Sequence, residues 1–358
     1  MNTGLWIYVH TNPKTSINAI NAITASIVHY ATNQHLKMFT KKDIEFRSIF
    51  LINCLEERHL KLRMGELLLL DETGKTMTKF PFQKILALFV IGNATITTPL
   101  IDKCRRYGVF ISVMKINLRP VYTFGVNADA NFLLRENQYK FDKNDISIAK
   151  LLIRLKLDNE LILLKRTRGK DEKTSYASAM ITKYSDKIED CKTYKELMGI
   201  EGISAKAFFS AYYQGFKWSQ RLPRTKIDYI NVLLDIGYTM LFNFLECYAR
   251  LFGFDIYVGV YHRQWFKRKS LLCDLIEPFR CIIDSTIRKS LNLGQFKARD
   301  FKCIKGEYFL NRDVAPNYYQ IFMQDIVKYK REIFSFFQGY YKFFMGIGNN
   351  IQFPSFQI

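Results

Sequence analysis

The feature that most limits what this chain can fold into is a change of hydrophobic period near residue 125. Before it, apolar residues come in short runs at 49–52, 67–70, 85–91 and 109–114, closed by turn signals such as Asp71-Glu72-Thr73-Gly74 and Gly92-Asn93. Short apolar runs punctuated by Gly, Asn, Asp and Pro read as strands, since those residues tolerate the backbone angles of tight turns. One stretch among them, 98–107, reads as a helix, with Pro99 in its first turn and Gly108 just past its end. From about residue 129 the period becomes helical. Ile148, Leu151, Leu152, Leu155, Leu161 and Leu164 share one broad face. Over 229–251, Ile230, Leu233, Leu234, Gly237, Leu241, Phe244, Leu245 and Tyr248 follow the i, i+3, i+4, i+7 template. Asp228 stands where an N-cap belongs, and Gly253 closes the far end. The expected fold class is α+β: a small β-rich domain over 48–125, a linker over 126–130, and a larger all-helical domain over 131–358 with an extension from about 310. Residues 1–47, Thr- and Asn-rich with a weak helical pattern over 16–30, form an N-terminal extension to which no chemistry attaches.

Charge narrows the partners. Against 33 Asp plus Glu stand 53 Lys plus Arg, a formal +20, on a chain whose 48% hydrophobic content excludes disorder and collagen-like or disulfide-scaffold folds. Such an excess calls for a polyanion, with nucleic acid ahead of an anionic membrane surface and of a merely basic soluble protein. The uncharged stretch 85–101 holds Gly92, Asn93 and Pro99, so it reads as a buried strand and a turn rather than a membrane span. No basic start followed by an apolar core marks a secretory signal. The seven cysteines are odd in number and form no CxxC pair, which fits reduced thiols in a cytoplasm.

Chemistry concentrates in the helical half. Of His10, His29, His35, His59 and His262, only the last lies there. His262 ends a tight apolar run, precedes Arg263 and the cluster Lys267-Arg268-Lys269, and is followed by Asp274 and Glu277. Those two carboxylates, three apart, share a helical face inside an apolar segment and need a cation, a helix terminus or a metal. Three readings stay open: a capping box with Asp274 as N-cap and Pro278 marking the start, a salt bridge from Glu277 to Arg280, or metal ligation. Glu201, set between Gly199 and Gly202, is either a first-turn carboxylate complementing a helix dipole or part of the same site.

Taken in order, Gly199-Ile-Glu201-Gly202, Asp228-x-x-Asn231-x-Leu-Leu-x-x-Gly237-Tyr238, Gly259-Val-Tyr-His262 and Leu271-x-x-Asp274-Leu-x-Glu277-Pro-Phe-Arg280 resemble one family. It is the CRISPR-associated adaptation integrase, the Cas-one family, which inserts new spacers into a CRISPR array. Pro81-Phe82, Gly92-Asn93-Ala-Thr-Ile-Thr97, Cys104-Arg-Arg-Tyr-Gly108, Asn131-x-Leu-Leu-Arg135-x-x-Gln138-Tyr139 and Asp300-Phe301 extend the resemblance over roughly 48–310. It implies a β-rich domain joined to a helical catalytic domain, a homodimer, and a small Cas-two partner. It also implies a metal held by Glu201, His262 and Glu277, with Asp274 as a further catalytic acid. Two carboxylates and an imidazole suit Mn²⁺ or Mg²⁺, and no thiol set argues for zinc. Such an ion activates a 3′-hydroxyl and stabilises charge on the attacked phosphodiester. Joining by transesterification needs no nucleotide, consistent with the lack of a GxxxxGK[ST] motif.

DNA, both the inserted fragment and the repeat target, would lie beside that metal. Arg221, Arg224 and Lys226 ahead of the central helix, and Arg263, Lys267, Arg268 and Lys269 between the expected ligands, are the candidate phosphate contacts. Lys165-Arg166-Thr-Arg168-Gly-Lys170 is a further basic run. The aromatics at 334, 336, 337, 340, 341, 343 and 344 either stack bases or pack a helix against the core or a second copy. Within the same chemistry, a transposon-type integrase or a metal-dependent DNase is the nearest rival; a non-catalytic nucleic-acid-binding scaffold is the reading from another class.

Overall fold

The computed structural model describes residues 39–125, 131–167, 171–216, 218, 220–348 and 351–358. The weak helix over 16–30, His10, His29, His35, the linker over 126–130, Arg168 and Lys170 lie outside the described residues. After a short helix α1 (Lys41–Phe46) comes a six-stranded mixed sheet: β1 (Ser48–Arg63), β2 (Glu66–Leu70), β3 (Thr76–Pro81), β4 (Ile85–Ile96), β5 (Phe110–Met114) and β6 (Pro120–Phe124). Their spatial order is β3-β2-β1-β4-β5-β6. The central pairs β1/β4 and β4/β5 are parallel and the outer pairs antiparallel. All four expected apolar runs lie in central or near-central strands. The edges β3 and β6 carry mostly exposed or half-buried side chains, so no apolar run announces them.

Residues Ile85 to Ile91 of β4 are buried without interruption because both faces of the sheet are covered. On one face lies α2 (Thr98–Tyr107), which sends Leu100 and Cys104 against Leu88, Val90 and Ile111. It ends at Gly108, whose φ of 67° places it in the left-handed region that an unbranched glycine reaches freely. On the other face Phe89 stacks on Phe244 of the central helix, ring centroids 6.2 Å apart.

The helices that follow are α3 (Phe132–Lys140), α4 (Ser147–Lys165), α5 (Glu172–Asp186), α6 (Tyr194–Tyr212), α7 (Tyr229–Leu251), α8 (Ser270–Leu275), α9 (Arg280–Asn292), α10 (Ala315–Lys328) and α11 (Lys330–Met345). Helix α7 is their axle. Asp228 caps it, accepting from Asn231 N–H at 2.7 Å, and Gly253 at φ 85° follows its last turn. By length and composition alone α7 could cross a membrane, but 78% of its apolar window is buried in the protein, as befits a core helix. At Gly237 a Cβ would stand 2.8 Å from Phe322 of α10, with Ile283 of α9 also in the way, so this glycine lets both helices approach α7 closely.

The second half is not wholly helical. A hairpin of β7 (Phe301–Ile304) and β8 (Glu307–Leu310) turns on Lys305 and Gly306, with φ of 51° and 82°. Consecutive left-handed residues match the twist of a two-residue hairpin. Its strands are four residues long and largely exposed, too short and too polar to show a strand period in the sequence. Helix α11 settles the aromatic segment as core. Phe334, Phe336, Phe337, Tyr340 and Tyr341 are buried against Tyr248, Phe252, Phe254 and Phe279, and Phe353 and Phe356 of the final segment close over them. Those five rings are not available to stack bases.

Candidate functional site

Four elements converge beneath the loop that follows α7. Helix α6 begins earlier than the glycines suggest, at a Thr193 cap whose hydroxyl accepts from Glu196 N–H, while Glu196 reaches back to Lys192 N–H at 2.7 Å. Glu196 is thus the first-turn carboxylate. Glu201 sits in mid-helix and turns inward, which overturns the helix-start reading of it. Asp274 is likewise no N-cap. It lies within α8, fully buried, and accepts from the backbone N–H groups of Val260, Tyr261 and His262 at 2.6, 3.0 and 2.8 Å. That approach depends on Gly259, where a Cβ would stand 2.5 Å from Asp274 Oδ2.

The same carboxylate fixes the imidazole. His262 Nδ1 is 2.7 Å from Asp274 Oδ1. A carboxylate can only accept, so Nδ1 carries a hydrogen, and in the neutral ring it is Nε2 that offers a lone pair to a metal or a proton donor. Both Asp274 oxygens are thereby engaged, which makes Asp274 a positioning residue.

Glu201 and Glu277 meet through a residue the sequence pattern hid. The Lys156 ammonium, from α4, lies 2.5 Å from Glu201 Oε1 and 2.8 Å from Glu277 Oε2. Glu277 also receives both arms of Arg280, at 2.8 and 2.9 Å, so the expected salt bridge is present as a bidentate pair. Burial opposes charge on Glu277, but Arg280 and Lys156 outweigh it and hold the carboxyl well below the usual range. Burial likewise pulls the Lys156 ammonium down, and Glu201 and Glu277 overcompensate, keeping it protonated. Tyr261 completes the link by donating its hydroxyl to Glu201 Oε2 at 2.6 Å, joining the His262 loop to α6.

Lys156, Asn159 and Glu160 form the part that sequence reasoning missed. Leu151, Leu155 and Leu161, assigned to the apolar face of α4, are only half-buried, whereas Lys156, Asn159 and Glu160 point inward beside Leu152, Ile153 and Leu163. Three polar residues on the i, i+3, i+4 rows of buried aliphatics were the available signal. Asn159 ties α4 to the turn after Glu277 by donating to Pro278 C=O at 3.1 Å, and to the final segment by donating to Phe356 C=O and accepting from Ile358 N–H. Burial raises the Glu160 carboxyl to about 8, and Asp284, which accepts from Tyr238 at 2.7 Å, to about 7.

The basic residues divide. Arg221 is bound to Asn231 and, at 2.6 Å, to Asp235; Lys269 lies 2.5 Å from the buried Glu246. Lys226 pairs with Glu307 at 3.5 Å and covers the Phe309 ring. Arg224, Arg263, Lys267 and Arg268 are exposed, the last three on the loop leaving His262. Exposed cations therefore lie on the loop that leaves His262, while Glu277 is buried and Glu201 half-buried. Among the described residues, no three His, Cys, Asp or Glu side chains form a ready-made metal cage, because Lys156 stands between the two glutamates.

An α+β chain that gathers buried carboxylates and an imidazole next to an exposed basic loop has the build of an enzyme that works on polyanions. The family model for CRISPR associated protein Cas1 matches residues 55–324, and the chain belongs to that family. Among curated relatives, a CRISPR-associated endonuclease Cas1 from Chlorobaculum tepidum is 25% identical over 254 residues, covering 66% of this chain and 74% of that one. One from Methanospirillum hungatei is 25% identical over 281 residues, covering 76% and 78%. Among solved structures, a Cas1 protein from Thermotoga maritima superposes with a TM-score of 0.71 at 19% identity, covering 84% of this chain and all of the other. A casposase bound to integration product gives 0.71 at 18% identity, covering 87% and 94%. These likenesses establish the fold: a sheet region followed by a helical region.

Proposed function

We propose that this chain is a metal-dependent DNA integrase and endonuclease that joins short DNA fragments to the repeat ends of a CRISPR array. One observation carries the reading: the Glu201 and Glu277 carboxylates converge on a single cation, and Tyr261, bonded to Glu201, precedes His262, whose Nε2 is left open by the Asp274 bond. Two hard oxygen donors and one nitrogen suit Mn²⁺ or Mg²⁺. Glu201, His262 and Glu277 would hold the ion, which requires the Lys156 ammonium to give up the place between the carboxylates. The bound ion would supply Lewis acidity to the phosphodiester and lower the pKa of the attacking hydroxyl.

The chain's own residues do the rest. Asp274 keeps His262 in one tautomer and orientation. Arg280 holds Glu277 ionised, and Tyr261 steers the second oxygen of Glu201. Arg224, Arg263, Lys267 and Arg268 would neutralise phosphates of the two DNA segments, while Arg221, Lys226 and Lys269 brace the backbone that presents them. In the joining step the fragment's 3′-oxygen forms a bond to phosphorus as the target's phosphorus–oxygen bond breaks. The proton of the attacking hydroxyl ends on the released 3′-oxygen, so no nucleotide is consumed. Named relatives are Cas1 endonucleases, and fold neighbours include a casposase with integration product and complexes of Cas1 with Cas2. They support DNA and the Cas2 protein as partners. Action as a homodimer, one site per DNA end, completes the reading.

A joining assay with Mn²⁺, a short fragment and a repeat-bearing duplex tests it. Wild type is expected to join, while His262→Ala and Glu201→Ala lose at least about a hundredfold in rate. Joining that survives both substitutions, or cleavage by wild type with no joined product, would sink the proposal.

A further inference from the structure

Burial leaves the Lys156 ammonium few places to go. Its side chain is 8% exposed, so bulk water does not receive it, and an ammonium left unpaired at that depth is costly. Asn159 pins α4 beside it, through its bonds to Pro278 C=O, Phe356 C=O and Ile358 N–H, so the motion available is a swing of the Lys156 side chain. Four carboxyl groups act on that ammonium or feel its charge. Glu201 and Glu277 hold it in the metal-free site. Asp284 is already engaged, accepting from the Tyr238 hydroxyl at 2.7 Å. Glu160 remains. It is 5% exposed, and its Oε2 is buried with no hydrogen-bond partner among the described residues. Buried polar atoms are nearly always paired, so an open acceptor here asks for a donor in some state of the protein.

We propose that Glu160 is the receiving berth for Lys156: when a divalent cation takes the place between Glu201 and Glu277, the ammonium turns along α4 onto Glu160 Oε2. This inference rests on the metal reading above. It adds a positioning residue that admits the ion without touching it. Spacing suits the move, because residues i and i+4 of one helix lie on adjacent turns of one face, and both side chains here are buried. Charge suits it as well. Lys156 of the same helix, Asp284 of α9, Glu201 of α6 and Glu277 face the Glu160 carboxyl, and burial raises it to about 8, so it waits in the neutral form. As the ammonium arrives, the Glu160 O–H bond breaks, the proton passes to solvent, and a buried ion pair remains. Without that partner the entering ion would strand a buried ammonium close to its own positive charge.

The test is a Mn²⁺ titration of the DNA-free full chain, followed by electron paramagnetic resonance, on wild type, Glu160→Gln, Lys156→Met and the double variant. Circular dichroism confirms that each is folded, and Lys156→Gln replaces Lys156→Met if the latter is not. Glutamine keeps the size of a protonated glutamate but cannot ionise. Glu160→Gln is expected to weaken Mn²⁺ binding about tenfold or more when Lys156 is present. Lys156→Met should tighten binding, and adding Glu160→Gln to it should change the affinity by about twofold at most. A loss of equal size in both backgrounds would mean that Glu160 acts on the ion or the fold directly, and would overturn the berth. Unchanged binding in Glu160→Gln, or no tightening in Lys156→Met, would overturn it too and leave the metal reading standing. If wild type shows no saturable Mn²⁺ binding, the metal reading falls, and the berth with it.

Discussion

The two halves of the site are held by different physics. On the His262 side, Asp274 is saturated by three backbone N–H groups and an imidazole, an arrangement of hydrogen bonds around one buried carboxyl group. On the glutamate side, Glu201 and Glu277 are held by Lys156 and Arg280, buried opposite charges whose attraction must exceed the cost of taking them out of water. The first half is built around a fixed scaffold and has no obvious second arrangement. The second contains a cation that another cation could replace. This difference assigns orientation to one half and ion exchange to the other.

The largest effect should come from breaking the scaffold. Asp274→Ala strands three buried N–H groups and frees the His262 ring, at a cost of about 3–5 kcal/mol in urea unfolding. A loss below about 1 kcal/mol would mean that water or another group satisfies those donors. Next, Lys156→Met leaves the glutamates without their shared cation and should destabilise the metal-free protein by about 3 kcal/mol. Mn²⁺ should then raise the melting temperature of the variant more than that of wild type, because no ammonium competes for the position. An equal rise in both would remove Lys156 from the proposed metal position.

The smallest effect is a pH dependence that separates Glu160 and Asp284 from Glu277. Burial lifts the folded-state Glu160 carboxyl to about 8 from 4.5, and Asp284 to about 7 from 3.8. The unfolded chain releases these protons at lower pH than the folded one, so stability falls as pH rises through these windows and levels off above about 8. Glu277, held low, has the opposite sign, and its contribution is lost only as pH falls below the ordinary glutamate range. Glu160→Gln should therefore flatten the decline between pH about 5 and about 8 in thermal melts. An unchanged slope would contradict a protonated Glu160.

Much of this was legible in the sequence where burial and periodicity coincide. The faces of β4 and α7 were readable because most inward positions are apolar, although α7 also buries Asn231, Asn243 and Glu246, and α2 because its ends carry Pro99 and Gly108. Of the residues in the order Glu201, His262, Asp274, Glu277, the two glutamates meet at Lys156 and His262 meets Asp274. Their local settings were not legible. Gly199 and Gly202 suggested a helix start, but an added Cβ at either meets nothing, so they mark an open helix surface rather than an end. Lys156, Asn159 and Glu160 look like a solvent-facing polar stretch until Glu201 and Glu277 arrive from elements far along the chain to face them. A polar residue's orientation depends on a partner that a local pattern does not contain. Arg221 and Lys269 show the same limit, as cations whose partners, Asp235 and Glu246, bind them inward.

Mn²⁺ binding, followed by electron paramagnetic resonance on the DNA-free protein, tests the central claim most directly. Wild type should show saturable binding that weakens at least about tenfold in each of Glu201→Gln, Glu277→Gln and His262→Ala, with the variants confirmed folded by circular dichroism. Binding of unchanged affinity in all three would contradict the account.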